Sequence, residues 1–192
     1  MTNPKTIHRL ILILLLASSL LSACSAEPTA IPLAERDLSQ VTLRQADLPS
    51  GFEQVIEGNP DELFPEIAPV HVGVVNSRTM ILKTGDDRRV FSNGVLVYDT
   101  EEHASQAYQA IIAQTKGETL TVEPIGEETF ALYTTVSSDL LLNTIHLAMI
   151  MWRTGPAVVI LSSADSDSPP DANQMPDLAA LIQSRLVEPP QN

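Results

Sequence analysis

The chain has 192 residues, of which 24 are acidic and 11 are basic, so its formal net charge is −13 at pH 7. This length fits one domain with one core. Nucleic-acid binding is not expected, because an acidic chain with 4% aromatic residues offers few cations for phosphates and few rings for bases. The single cysteine excludes an internal disulfide and a thiolate metal site.

The first 23 residues have the pattern of a secretory signal peptide. Lys5 and Arg9 form a basic start, and an apolar run follows until small residues end it before Cys24. The run is shorter than the roughly 20 apolar residues that span a bilayer as a helix. Residues 1–23 are therefore predicted to be a leader, and its removal makes the chain two charge units more negative.

The residues at the end of this leader resemble the lipobox of bacterial lipoproteins: Leu21, Ser22, Ala23 and Cys24. The resemblance implies a diacylglyceryl group on the Cys24 sulfur, cleavage before Cys24 and acylation of the amine so exposed. Such chains hold a protein firmly at a membrane surface. An ordinary signal peptide with a chance cysteine, or an uncleaved anchor, are the alternatives.

This resemblance also implies a location. The protein is expected on the extracytoplasmic face of a bacterial membrane, with the membrane itself as one partner through the acyl chains. Ser25 stands where an aspartate usually signals retention at the inner membrane, so the outer membrane is favoured if the source has one.

The rest of the chain divides into a tether at 24–39, a single globular domain at 40–188 and a tail at 189–192. The tether is predicted from small residues and prolines that show no sustained period. The predicted elements, in chain order, are a helical turn within 42–51, strands at 72–84 and 88–98, a helix between Thr100 and Gly117, strands at 119–122, 129–136, 141–153 and 157–163, and a final helix from Pro176 to Pro189.

This order of elements predicts an α+β fold with a mainly antiparallel sheet packed by helices. Residues 145–152 and 158–161 are apolar at both odd and even positions. Because alternate strand residues face opposite sides, both faces of these two strands should be buried. They are expected to lie centrally, between two layers.

Four short motifs carry a wider resemblance: Asp47 to Phe52 (DLPSGF), Ile125 to Glu128 (IGEE), Trp152 to Gly155 (WRTG) and the helix at 178–186. They resemble a recurring set of bacterial lipoprotein and receptor-sensor ectodomains. The order of elements is similar to that of the PsbP/Mog1-like α/β/α sandwiches. The resemblance covers most of residues 40–188 and implies no catalytic residues.

The histidines do not form a metal motif. His103 lies beside Glu101 and Glu102, but adjacent helix residues diverge, so a solvated helix start is expected instead. His146 alternates with apolar residues on a strand, which favours a hydrogen-bonded or edge-exposed side chain.

Two acidic segments contain candidate functional groups. Residues 165–173 carry oxygen ligands at a spacing loosely like that of a calcium loop, but the required glycine and bidentate glutamate are missing, which favours a polar surface loop. Glu127 and Glu128 are expected to form a turn rather than an acid/base pair, because consecutive strand residues point to opposite faces. Since no nucleophile or phosphate-binding motif is present either, we expect no enzyme activity, no metal and no cofactor.

These observations predict an extracytoplasmic binding or interaction module. The acidic surface and the tether favour a protein partner in the cell envelope. The alternative is a carrier or binder of an apolar ligand such as a lipid, for which the candidate residues are Met149, Met151 and Trp152, whose soft or broad side chains suit a pocket. Plain core packing is the other interpretation of these three residues.

Overall fold

The computed structural model describes residues 31–58, 68–137, 144–171 and 174–188, so Cys24, the predicted leader and the predicted tail lie outside the described residues. No helix within these ranges is long and apolar enough to cross a membrane. The strands are β1 (Phe52–Gly58), β2 (Val74–Thr84), β3 (Arg89–Tyr98), β4 (Glu118–Thr119), β5 (Glu128–Ser137), β6 (Thr144–Thr154) and β7 (Ala157–Asp165). The helices are α1 (Ala68–His71), α2 (Glu101–Gln114) and α3 (Gln174–Val187), and three short 3-10 helices lie at Leu33–Glu35, Leu38–Gln40 and Gln45–Asp47.

The seven strands form one sheet in the order β1-β2-β3-β7-β6-β5-β4, and every neighbouring pair is antiparallel. The predicted α+β fold with an antiparallel sheet is confirmed. The turn between β2 and β3 forms where Gly85, Asp86 and Asp87 predicted it, and Thr84 donates a 2.6 Å hydrogen bond to Asp86 Oδ1 there. Strand β1 was not predicted, because polar residues occupy much of it.

Helices cover both faces of the sheet. Apolar residues of α3 and of the amino-terminal segment pack on one face, and those of α2 pack on the other. Strand β7 is the middle strand of the seven and β6 lies beside it. The predicted central position of 145–152 and 158–161 is confirmed, because both strands bury side chains in both layers.

The amino-terminal segment belongs to the domain earlier than the sequence indicated. Leu38 is 3% exposed and lies in the core below α3. Arg36 Nη1 donates to the carbonyl oxygens of Leu186 (2.8 Å) and Glu188 (3.1 Å), and Asn76 donates to the Arg36 carbonyl. The predicted tether boundary at residue 39 is corrected: burial of Leu38 and capping of the α3 carbonyl groups by Arg36 hold this segment against the domain.

The DLPSGF motif joins the same segment to α3. Asp47 accepts two hydrogen bonds from the Arg185 guanidinium, at 2.6 and 2.7 Å, and one from the Arg44 amide at 2.8 Å. Burial alone raises the pKa of Asp47, but these hydrogen bonds outweigh that effect and hold the pKa below its ordinary value. The motif is therefore explained by a structural ion pair.

Candidate functional site

A cavity of about 330 Å³ lies where α3 begins above β5 and β6. Residues 120–122 form one wall, and residues 169–171 form another. Its remaining lining residues are Tyr133, Ala148, Met149, Ile150, Met175 and Pro176. The lining is mostly apolar.

The strand register explains why this space is unfilled. Ala148 of β6 pairs with Tyr133 of β5 on one side and with Ser163 of β7 on the other. Two small side chains therefore stand next to each other on the sheet face that α3 covers. Met175, at the start of α3, lines the cavity but does not fill it.

One aromatic residue that lines the cavity, Tyr133, carries a hydroxyl group. The hydroxyl of Tyr133 lies 2.5 Å from Nδ1 of His146, and the two rings stack with centroids 6.1 Å apart. His146 lies on the next cross-strand row, opposite Asp165 of β7. Within the described residues, Asp171 is the one charged side chain that lines the cavity.

The three predicted ligand-binding residues do not form one site. Met149 borders the cavity, but its side chain packs in the core layer on the α2 face of the sheet. Met151 and Trp152 are both 0% exposed, and they belong to the core layers on opposite faces of the sheet. This prediction is corrected for Met151 and Trp152, because both side chains are enclosed in the core and neither lines the cavity.

Trp152 is anchored by a structural contact instead. Its indole N–H donates a 2.8 Å hydrogen bond to Oε1 of Gln183 in α3. The contact satisfies the buried N–H and fixes α3 on the sheet.

Two features of the sequence could have indicated the cavity. One is the small residue Ala148 within an otherwise bulky apolar strand, and the other is the proline pair at 169–170.

A second, polar cavity of about 390 Å³ lies beside the first, and both include Pro169 and Asp171. Arg88 Nη1 lies 2.9 Å from Asp167 Oδ2, and Arg89 Nε lies 3.0 Å from Asp165 Oδ2. The other oxygen of Asp165 accepts from the amides of Asp167 and Ser168. These carboxylates bind arginines and the turn itself, as the prediction of a polar surface loop implies.

The described residues contain no cluster of three or more His, Cys, Asp or Glu side chains arranged to hold a metal. His103 Nδ1 lies 2.6 Å from Asp99 Oδ1, and this hydrogen bond lowers the pKa of Asp99. The His103 amide donates to Thr100 Oγ1, so Thr100 caps α2 as predicted. His103 thus joins the start of α2 to the preceding strand.

The two glutamates of the IGEE motif converge on one arginine. Arg153 Nη2 lies 2.7 Å from Glu127 Oε2, and Arg153 Nε lies 2.6 Å from Glu128 Oε1. The predicted turn forms at Gly126 and Glu127, ahead of β5, and there the two carboxylates converge on Arg153 instead of diverging as consecutive strand residues would. Glu127 Oε1 also accepts a hydrogen bond from the Gly155 amide. The IGEE and WRTG motifs are therefore bonded to each other.

No known protein family matches the sequence, and no curated protein matches it either. Among solved structures, the chain is similar to the extracellular domain of PknH from Mycobacterium tuberculosis, with 14% identity and a TM-score of 0.48, over 77% of this chain and 93% of that one. It is also similar to a protein from Bacteroides thetaiotaomicron, with 11% identity and a TM-score of 0.43, over 69% of this chain and 41% of that one.

Proposed function

We propose that the protein is a non-enzymatic binding module held by acyl chains on Cys24 at the extracytoplasmic face of a bacterial membrane. Its binding site is the cavity at the start of α3, where an apolar group of the ligand displaces water. This proposal selects the apolar-ligand interpretation of the sequence over the interpretation as a partner-binding surface.

The cavity is the observation that carries the proposal. Its volume of about 330 Å³ falls at the lower end of the roughly 300–1,000 Å³ of ligand pockets. Leu120, Val122, Ile150 and Met175 supply apolar walls. Each Å² of apolar surface removed from water on both sides contributes about 25 cal/mol.

The contacts of the acidic side chains and of His103 support the proposal that the protein is not an enzyme. Glu127 and Glu128 share the charge of Arg153, and His103 is bonded to Asp99. Asp165 and Asp167 are bonded to arginines. A general acid or base must exchange its proton with the substrate. In this structure these groups are instead hydrogen-bonded or ion-paired with other residues of the protein.

Surface charge favours a second candidate function, the binding of a basic envelope protein. Every arginine that the structure describes is bonded to an acidic side chain, an amide oxygen or a carbonyl group. Several glutamates without a cationic partner are exposed: Glu101, Glu102, Glu118 and Glu123. This distribution leaves the described surface predominantly negative.

Native mass spectrometry of the full lipidated protein, released from its own membrane, tests the proposed function. The Leu120→Trp variant fills the cavity from a position that is 37% exposed, and Val136→Trp adds the same bulk at an exposed position outside it. A bound small molecule should accompany the wild type and Val136→Trp and be absent from Leu120→Trp.

Two results would count against this function. The first is a small-molecule mass that persists unchanged in Leu120→Trp. The second is a spectrum in which wild type carries no small molecule but carries a stoichiometric basic protein, which would select the second candidate.

A further inference from the structure

We propose that the ligand of this cavity is an amphiphile whose head group is an uncharged hydroxyl, bound at Tyr133, and that fatty-acid-like carboxylates are excluded. The inference rests on the proposed function and defines its ligand class. It follows from the hydrogen-bonding capacity of Tyr133 and from the charges around the cavity.

The Tyr133 oxygen keeps hydrogen-bonding capacity for a ligand. A phenol oxygen can both donate and accept, and one of these roles is used by His146 Nδ1 at 2.5 Å. If Tyr133 donates to His146, its oxygen still accepts; if His146 donates, the Tyr133 hydroxyl still donates. A ligand hydroxyl complements either arrangement, whereas a carboxylate or an ether can only accept.

The charges disfavour an anionic head group. No Lys or Arg is found among the described residues that line the cavity, and the one charged residue there is Asp171. The neighbouring Arg88 and Arg89 line the second cavity and are bonded to Asp167 and Asp165. A carboxylate would lose hydration without meeting a cation, which is unfavourable.

A cationic head group is disfavoured for a different reason. An ammonium group can only donate hydrogen bonds, so it complements Tyr133 only where the phenol oxygen is still an acceptor, whereas a hydroxyl complements either arrangement. An ammonium group would also lose hydration in a cavity whose described lining is mostly apolar. An uncharged head group avoids both penalties.

Photo-crosslinking in native membranes tests the inference with the full chain. The probes are a diazirine-bearing decanol, decanoic acid and decylamine of identical chain, and the measured quantity is the labelling of residues 118–122 and 174–178. Labelling of the Leu120→Trp variant is subtracted as background. The subtraction removes labelling outside the cavity, which differs among the probes because they partition differently into the membrane.

The decanol probe should label these segments about 10-fold more than the decanoic acid probe. Tyr133→Phe should lower decanol labelling by about 2- to 12-fold, the effect of one hydrogen bond, and leave decanoic acid labelling unchanged. Tyr108→Phe, in the opposite layer of the core, is the matched control and should change neither. Asp171→Asn should raise decanoic acid labelling and leave decanol labelling unchanged.

The inference is overturned if decanoic acid or decylamine labels the cavity as well as decanol does, or if Tyr133→Phe leaves the decanol preference intact. In that case the cavity still binds apolar chains and the proposed function stands. If none of the three probes labels these segments above background, the proposed function fails together with the inference.

Discussion

At the scale of single residues, position on the sheet decides what a methionine does. Met149 and Met151 lie two positions apart on β6 and face the same core layer, but Met149 is 8% exposed and lines the cavity, whereas Met151 is 0% exposed and does not line it. The sequence predicted that β6 is buried on both sides, because both parities are apolar. It did not predict which methionine is the more closely packed, since that depends on tertiary contacts.

Met151→Ala should lower the free energy of unfolding by about 2–5 kcal/mol, because it opens a void in a closed core. Met149→Ala should lower it by less, since this side chain is 8% exposed and its truncation removes fewer contacts. Urea denaturation of both variants measures the difference. Equal losses would contradict the difference in packing between the two methionines.

Asp47 makes the stability of the domain dependent on pH. Its folded-state pKa lies below the ordinary value of 3.8, because hydrogen bonds from Arg185 and the Arg44 amide outweigh burial. The stabilisation is complete well above pH 3.8 and is lost as the pH falls below 3.8 through the folded-state pKa.

Asp47→Asn should therefore cost about 1.5–3 kcal/mol near neutral pH, the range for hydrogen bonds to charged groups. The difference from wild type should shrink when unfolding is measured near pH 3. Asp177→Asn, at an exposed position of α3, serves as the control. A difference that stays constant with pH would show that the ion pair is not the cause.

At the scale of elements, periodicity predicted the regular parts of the fold and missed the parts that depend on tertiary contacts. Helix α2 and strands β2, β3 and β7 lie close to their predicted positions, because their apolar residues recur at helix or strand spacing. The segment before residue 40 lacks such a period. Its order depends on Leu38, which is buried below α3, and on Arg36, which caps the same helix.

Three turn glycines differ in how strongly an added side chain would disturb the structure. Gly126 has φ +67°, and a Cβ there would lie 2.4 Å from Thr154 Oγ1 and 2.5 Å from the Arg153 carbonyl oxygen. Gly51 has φ +105° with open space around it, and Gly85 has open space without a positive φ.

Substitution of each glycine by alanine should therefore lower stability in the order Gly126, Gly51, Gly85. The Gly51 variant should lose about 1–2 kcal/mol from backbone strain, the Gly126 variant more because of the added clash, and the Gly85 variant little. Thermal denaturation measures the order. A Gly126→Ala variant as stable as Gly85→Ala would show that the IGEE turn does not hold the WRTG turn closely.

At the scale of the whole molecule, the proposed anchor has to be considered together with the acidic charge of the chain. The proposed acylation of Cys24 would put acyl chains at the start of the mature protein, and the chain carries more than twice as many acidic as basic residues. Anionic lipid head groups would repel such a domain, so in the proposed arrangement the acyl chains, and not the surface charge, would supply the membrane attachment.

Cys24→Ser should abolish metabolic labelling by palmitate and leave unprocessed precursor or a form without acyl chains. Membrane fractionation and labelling of the two forms measure this. Ser25→Ala leaves the cysteine in place and is the matched control. Labelled protein in the Cys24→Ser variant would contradict the proposed anchor.

The central claim is that an apolar ligand enters the cavity at the start of α3. Amide hydrogen exchange of the full chain in its membrane, with and without 1-decanol, tests it most directly. The account predicts slower exchange at residues 118–122 and 174–178, no change in the β2–β3 hairpin, and no response in Leu120→Trp. Unchanged exchange at these two segments, or equal protection in the Leu120→Trp variant, would contradict the claim.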